Sequence, residues 1–488
     1  MEAAASRPAG PAPYRAYGPR NLDRVAARYG LSDSVRATVE RFSLVLPFRV
    51  NDYVLSELID WSDVPADPLF QLVFPQPGML SAPQERALAE VASRAPSDRL
   101  RLDTVRRIRA ALNPHPGGQR ELNVPLTEGE RLPGVQHKYR ETVLYFPAQG
   151  QSCHAYCTYC FRWAQFVDDT ELRFAAPGPE RLVSYLRQRP EVSDVLVTGG
   201  DPLMMAAEPL RRHLMPLLDV GTVRTVRIGT KAPAYWPARF VTDRDSDDVL
   251  RLFEAVTRTG RTLAVMAHFS HARELTTDLA RRALERIRST GAVVHCQAPL
   301  VAHVNDTVEA WTRLWRAESA AGAVPYYMFV ARDTGPHRYF EVPLARAVEL
   351  FRQAYQRLPG LARTVRGPVM STSAGKIVLD GELALPHGRF FQCRLVQARD
   401  PGLVGRPFLL HHDDGAAWID GLRPDKTTVP ADIAAALHAD TASPEDPGLR
   451  TAPAASGGPA RPGRPAAAPL LGTAAQAHPV AVEPLEGR

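Results

Sequence analysis

Long apolar runs are missing from this chain of 488 residues. None reaches the eighteen residues that a membrane-spanning helix needs. The N-terminal stretch MEAAASRPAGPAPYRAYGPR lacks the apolar core of a secretory leader, so the expected location is the cytoplasm. Blocks of like charge are missing too. The net charge of +6 comes mostly from arginines interleaved with Asp and Glu. That pattern reads as a solvated surface rather than a nucleic-acid groove, and it leaves arginines for small ligands bearing phosphate or carboxylate. Cysteine is scarce: Cys153, Cys157, Cys160, Cys296 and Cys393 are all there are. An odd count in a long chain argues against a disulfide framework. Hydrophobic content of 45% is sufficient for a large core.

Composition divides the chain. Residues 1–20 are rich in Ala, Pro and Gly and are expected to be loose. Residues 21–135 read mostly as helix, as in NLDRVAARYG and DRLRLDTVRRIRAALN, and FSLVLPFRVNDYVLSELI is apolar enough to pack against something larger. Residues 136–400 alternate strand and helix. ETVLYF, VSDVLVTGG, TVRTVRIGT, RTLAVMAHFS, AVVHCQAPLV and VPYYMFVA read as strands, each followed by an amphipathic helix. Six βα units in succession imply an α/β fold whose parallel sheet has right-handed crossovers. Periodicity alone does not choose between a partial barrel and an open sheet. Residues 401–439 form a C-terminal extension. Residues 440–488, dominated by Pro, Ala and Gly, are expected to be disordered.

CHAYCTYCFR gathers three of the five cysteines within eight positions, in the spacing C-x3-C-x2-C. The segment follows a strand, where loops at the carboxyl ends of parallel strands hold ligands. Structural zinc wants four N or S ligands, and His154, next to Cys153, is badly placed to complete a tetrahedron. Three thiolates without a fourth suit an iron–sulfur cube with one iron left open for a small chelating molecule. A second strand ends in LVTGGDPLM, where Gly199 and Gly200 allow close approach of backbone to a ligand. Further on, STSAGK sets small residues before Lys376, which could bind pyridoxal phosphate as an imine, with room for a planar ring or phosphate.

The cysteine spacing, with Tyr159 before the last cysteine, resembles that of the radical S-adenosylmethionine superfamily. The resemblance implies a partial (βα)6 barrel and a [4Fe–4S] cluster held by Cys153, Cys157 and Cys160. It also implies that S-adenosylmethionine sits on the fourth iron and is cleaved to a 5′-deoxyadenosyl radical. Gly199, Gly200 and Asp201 match the strand end that binds the methionine amino group. Residues 44–400 further resemble the lysine 2,3-aminomutase family, through LPFRVNDYVLS, HKYRETVLYF, CHAYCTYCFRW, VLVTGGDPL, VRIGTKAP, MAHFSHARELT, CQAPLVAHVND, PYYMFV and GPVMSTSAGKI. That family moves an amino group from Cα to Cβ on pyridoxal phosphate.

By this resemblance Lys376 is the pyridoxal lysine and Arg162 clamps the substrate α-carboxylate in bidentate fashion. Lys138 and Tyr139 hold the cofactor phosphate. A later arginine of that phosphate site is replaced by Thr142, with Arg140 as its expected substitute. Lysine-specific members carry two aspartates around the substrate ammonium, where this chain has Arg332, followed by Asp333, and Val369. An unpaired buried ammonium costs several kcal/mol. The expected substrate is therefore an acidic or neutral amino acid such as glutamate or aspartate, with Arg332 on its side-chain carboxylate. A register shifted by one residue would put Asp333 there instead. Alternatives are lysine itself, free or in the modification of a translation factor, and a non-catalytic iron–sulfur redox sensor. The implied partners are the amino acid, an electron donor such as flavodoxin or ferredoxin, and further copies of the chain. The family's C-terminal zinc cysteines have no counterpart, since Cys393 stands alone and HHDD at 411–414 is a weak candidate.

Overall fold

Apolar strands alternating with one-sided helices build the central layer. The helix Asp278–Ser289 shows why. Ala280, Ala283, Leu284 and Ile287 are buried on one stripe, Asp278 opens the first turn, and Arg286 and Arg288 close the last. Thr277 caps it by accepting from the Ala280 amide at 3.1 Å. The computed structural model describes residues 13–113, 123–127, 129–167, 174–372 and 374–438. All of them lie in one unit, Met1–Asp446. Residues 1–12, Ser373 and the tail 440–488, read above as disordered, lie outside the described residues.

The main sheet has eleven strands. In chain order they are β1 (Val135–Tyr139), β2 (Thr142–Tyr145), β3 (Asp194–Val197), β4 (Thr225–Thr230), β5 (Thr262–His268), β6 (Val293–Leu300), β7 (Val324–Val330), β8 (Arg366–Ser371), β9 (Gly375–Leu385), β10 (Gly388–Ala398) and β11 (Pro407–His411). Strands β2 to β8 are parallel and lie side by side in sequence order; β1 and β9 to β11 are antiparallel. The sheet curls until its far side returns to its start. The Arg140 amide meets the Ala398 carbonyl at 3.4 Å, and Arg399 donates to the His137 carbonyl at 3.2 Å. A partial barrel results, with its crossover helices outside and an enclosed lumen. All six expected βα units are present. The sequence reading stops one strand short: Arg366–Ser371, which it assigns to no strand, is the seventh parallel strand, and Lys376 sits on the hairpin strand that follows it.

The N-terminal helices Leu22–Tyr29, Asp33–Phe42, Pro68–Val73, Ala82–Val91 and Arg99–Leu112 form a layer against this barrel. The apolar stretch noted above is its seam: Phe42, Val45, Leu46, Val50, Val54, Leu55 and Leu58 are all buried. Residues 13–20 depart from the loose segment expected. Ala16–Tyr17 pairs with Val50–Asn51, and Tyr14 packs edge-on against Trp236. Two tyrosines in a segment otherwise poor in apolar residues anchor it. No described helix is long and apolar enough to cross a membrane.

Asn51 ties the two layers together. Fully buried, it donates to the His154 carbonyl at 3.2 Å and the Tyr235 carbonyl at 2.9 Å, and accepts from the Val54 amide at 3.0 Å. Asn51→Ala strands the Tyr235 carbonyl and the Val54 amide away from water, while the His154 carbonyl keeps Tyr14 as a donor. A destabilisation on the order of 2–4 kcal/mol is expected, read as a lower denaturant midpoint with unchanged slope.

Candidate active site

The cysteine loop is gripped from both sides. Arg49 donates to the Cys153 carbonyl at 3.3 Å, Tyr14 to the His154 carbonyl at 2.8 Å, and Thr158 to the Gln71 carbonyl at 2.7 Å. From the barrel side, the Asp201 amide donates to the carbonyls of Gly150 (3.1 Å) and Ser152 (2.7 Å). Here the glycines of LVTGGD show their use. A Cβ on Gly199 would meet the Gln151 side chain at 2.4 Å, and one on Gly200 would meet the Ser152 backbone at 2.6 Å. Gly199 also has φ +155°, which side chains rarely adopt. The close approach is to the cysteine loop itself.

Cys153, Cys157 and Cys160 are half-buried and come together, each thiol lying in the electrostatic field of another. Burial, then Asp201 and the sister thiols, pushes Cys153 well up; burial pushes Cys160 up to about 12. Thiols held this way need a positively charged occupant to ionise. Among the described residues no three His, Cys, Asp or Glu converge on a single-ion position. The donor set, three thiols on one loop, fits a cluster spread over several irons better than one tetrahedral ion.

Asp201 was assigned to the cofactor on sequence, and the structure gives its carboxylate other work. At 2% exposure it accepts from the Thr230 hydroxyl (2.7 and 2.9 Å), the Lys231 amide (2.9 Å) and the Leu203 amide (2.9 Å). It locks the end of β3 to the end of β4.

Lys376 points into the lumen. Ser371 and Lys376 are paired across β8 and β9, as are Val369 and Val378, so all four share one face. The Lys376 ammonium donates to Gln397 Oε1 at 2.8 Å and lies 4.6 and 5.1 Å from the ring centroids of Tyr327 and Tyr139. Burial, then the Arg227 charge, brings it down to about 7. Lys138 Nζ and the Tyr139 hydroxyl reach Ser371 Oγ at 3.3 and 3.4 Å. The structure thus brings Lys138, Tyr139 and Lys376 together.

Arg140 does not join them. It is exposed on the β1–β2 turn. Thr142 instead faces Arg227 of β4, whose Nη2 is 3.4 Å from Thr142 Oγ1 and whose Nε donates to Asp194 at 2.8 Å. Sequence reasoning missed Arg227. Its signal was an arginine between Val226 and Ile228, in a strand otherwise expected to be buried on both faces.

Arg162 is half-buried over the Phe146 ring (4.2 Å) and donates to Gln165 Oε1 at 2.9 Å; its buried Nε has no hydrogen-bond partner among the described residues. Burial lowers it to about 10, and Arg332 adds to that. Arg332 donates to the Ser371 carbonyl and lies 5.3 Å from the Phe161 ring. Arg162 and Arg332 are therefore near one another. The HHDD segment does not gather as a metal site: His412 stacks on Phe391 at 4.5 Å and pairs with Glu382 at 3.4 Å. Cys393 is buried within β10.

No family model matches the chain. Among curated proteins, a putative L-lysine 2,3-aminomutase of Aquifex aeolicus is 36% identical over 293 residues, covering 59% of this chain and 74% of that protein. The chain belongs to the lysine 2,3-aminomutase family. The L-lysine 2,3-aminomutase of Bacillus subtilis is 27% identical over 267 residues, 54% of each chain. Among solved structures, SuiB of Streptococcus suis bound to S-adenosylmethionine matches 55% of each chain at 13% identity, with a TM-score of 0.32, too loose a superposition to bear on the site. Membership makes this chain a radical S-adenosylmethionine aminomutase and implies an iron–sulfur cluster and S-adenosylmethionine.

Lys376 is expected to react as a neutral amine with a midpoint near pH 7, where ordinary lysines need about pH 10. Amine labelling followed by mass spectrometry across pH measures this. The sign for stability follows. The folded chain releases this proton near 7 and the unfolded chain near 10, so the residue's contribution becomes more favourable as pH rises between them.

Proposed function

We propose that this chain is a pyridoxal-phosphate-dependent 2,3-aminomutase whose substrate is an α-amino acid with an acidic or neutral side chain. One observation carries the reading: a single lysine, Lys376, held near-neutral in an aromatic lumen that also receives Lys138, Tyr139 and Arg227. Cys153, Cys157 and Cys160 would hold the cluster, with S-adenosylmethionine beside Gly199 and Gly200. The pyridoxal group would be held on Lys376, with its phosphate among Lys138, Tyr139, Ser371 and Arg227. The lumen suits an anion, because Arg227 and Lys376 share it with Asp194 as the counter-charge that reaches Lys376, and the exposed Arg366 adds to the positive field on Lys376. When bound, these groups supply a carbon radical and a conjugated ring across which nitrogen can migrate.

The chain's own residues do the rest. Arg162 binds the α-carboxylate through a guanidinium that burial has stripped of water. With its midpoint near 7, Lys376 presents a sizeable unprotonated share at neutral pH, the state that attack on a carbonyl requires. Tyr139, Tyr327 and Phe329 keep water from the reacting atoms. Val369, fully buried on the lumen face, offers nothing to a substrate ammonium, and Arg332 favours a carboxylate.

An amino-acid panel tests the substrate. Anaerobically reconstituted enzyme, with reductant, S-adenosylmethionine and pyridoxal phosphate, is expected to convert an acidic or neutral amino acid to its β-isomer, detected by mass spectrometry. Strong β-lysine formation without turnover of acidic amino acids would eliminate the substrate assignment. Lys376→Ala is expected to abolish turnover and the absorbance of bound cofactor together. Arg227→Met in an Asp194→Asn background, which leaves no orphaned carboxylate, should weaken pyridoxal phosphate binding by roughly 10- to 100-fold. Pyridoxal without phosphate should bind both forms equally.

A further inference from the structure

The end of β4 carries groups that the functional reading does not use. Lys231 follows the strand, and its amide is held by Asp201 at 2.9 Å. A short helical turn, Ala232–Tyr235, brings Tyr235 over the cysteine loop, where its hydroxyl lies 3.5 Å from Cys157 Sγ. Tyr235 is 1% exposed, and its carbonyl is fixed by Asn51. Beneath the ring sits Lys231 Nζ, 4.4 Å from the centroid. That ammonium pairs with the fully buried Glu274 at 2.8 Å and donates to Ser270 Oγ at 3.2 Å. Such a buried pair is costly to build unless its geometry is kept.

We propose that Tyr235, backed by the Lys231–Glu274 pair, is a positioning residue that sets the reduction potential of the iron–sulfur cluster through Cys157. The inference rests on the reading that the three cysteines hold a cluster. A cysteine bound to iron has no proton and only accepts, so the Tyr235 hydroxyl donates to it. Reduction adds one electron from an external one-electron donor, breaks no bond, and leaves the tyrosine its proton. The reduced cluster is the more negative, so a donor on its sulfur favours it and raises the potential. The ring over Lys231 adds a cation to the same side of the cluster, and low local polarity magnifies both effects. Glu274 opposes that cation.

The opposed signs make the test specific. Full-length protein is reconstituted anaerobically with iron and sulfide and titrated with dithionite, with electron paramagnetic resonance following the reduced cluster. Tyr235→Phe is expected to bind a full complement of iron and to show a roughly tenfold lower ratio of reduced to oxidised cluster at a fixed potential, about 59 mV for one electron. Glu274→Gln, which leaves Lys231 unopposed, is expected to shift the potential the other way. If that variant fails to fold, Lys231→Met, with Glu274 as the surviving charge, is expected to shift it downward with Tyr235→Phe. Full iron with an unmoved potential in Tyr235→Phe overturns the inference and leaves the functional reading standing. So does a Glu274→Gln shift in the same direction as Tyr235→Phe. Wild-type protein that takes up no iron overturns the functional reading and this inference with it.

Discussion

The buried carboxylate of Asp201 is the fixed point of this site. It lies in the protein interior and is held mainly by hydrogen bonds. Two amides and a hydroxyl donate to it, and His154 Nδ1 stands off at 3.8 Å. Hydrogen bonds to a carboxylate of this kind are each worth about 1.5–3 kcal/mol, enough to hold the side chain in one position. Its own amide grips the cysteine loop while its side chain grips the end of β4. One residue therefore sets where three thiols stand relative to Lys231 and Tyr235. The two glycines before it remove the side chains that would hold the loop away.

Deeper in the barrel a different balance applies. Strand alternation sends Asp194, Arg227, Val369 and Lys376 to the lumen, and curling of the sheet closes them away from water. Positive charge predominates there. The consequence falls on Lys376, which burial and Arg227 together keep near neutrality. An anion entering the lumen would relieve the repulsion among these cations and, by the same electrostatics, draw the Lys376 proton affinity back up.

Much of this was legible in the sequence, for reasons that particular residues make plain. The βα units announce themselves because strands such as TLAVMAH are apolar throughout and helices such as DLARRALERIRS are apolar on one side. The cysteine spacing is local and survives any fold. The seventh parallel strand was not legible, because Gly, Pro, Ser and Thr in GPVMSTS read as turn residues, and only tertiary pairing with β7 makes a strand of them. Arg140 was chosen as the substitute for a missing arginine because it lies two positions from Thr142 in sequence. The nearer cation in space, Arg227, is 85 positions away. The sequence motif around Asp201 looks the same whether the aspartate serves a ligand or its own chain. Tyr235 carried no signal at all, since a tyrosine in KAPAYW is ordinary, and its meaning depends on Cys157 arriving beside it.

The proposed preference for side-chain charge rests on the same alternation. Residue 369 cannot turn away from the lumen, because its pairing with Val378 fixes it on the face shared by Ser371 and Lys376. A residue there borders whatever occupies the lumen. Valine packs against Tyr327 and Val378 and offers no acceptor. Arg332, anchored on the Ser371 carbonyl, comes from the end of β7 toward the same wall. An extended ammonium brought to this wall would lose its water and meet an aliphatic surface and a guanidinium, both unfavourable. A carboxylate would lose its water and meet a fork of donors, and a short neutral side chain would lose little and need nothing. The proposed exclusion of a cation would thus rest on two missing anions and one added arginine, with residue 369 held in place by strand pairing.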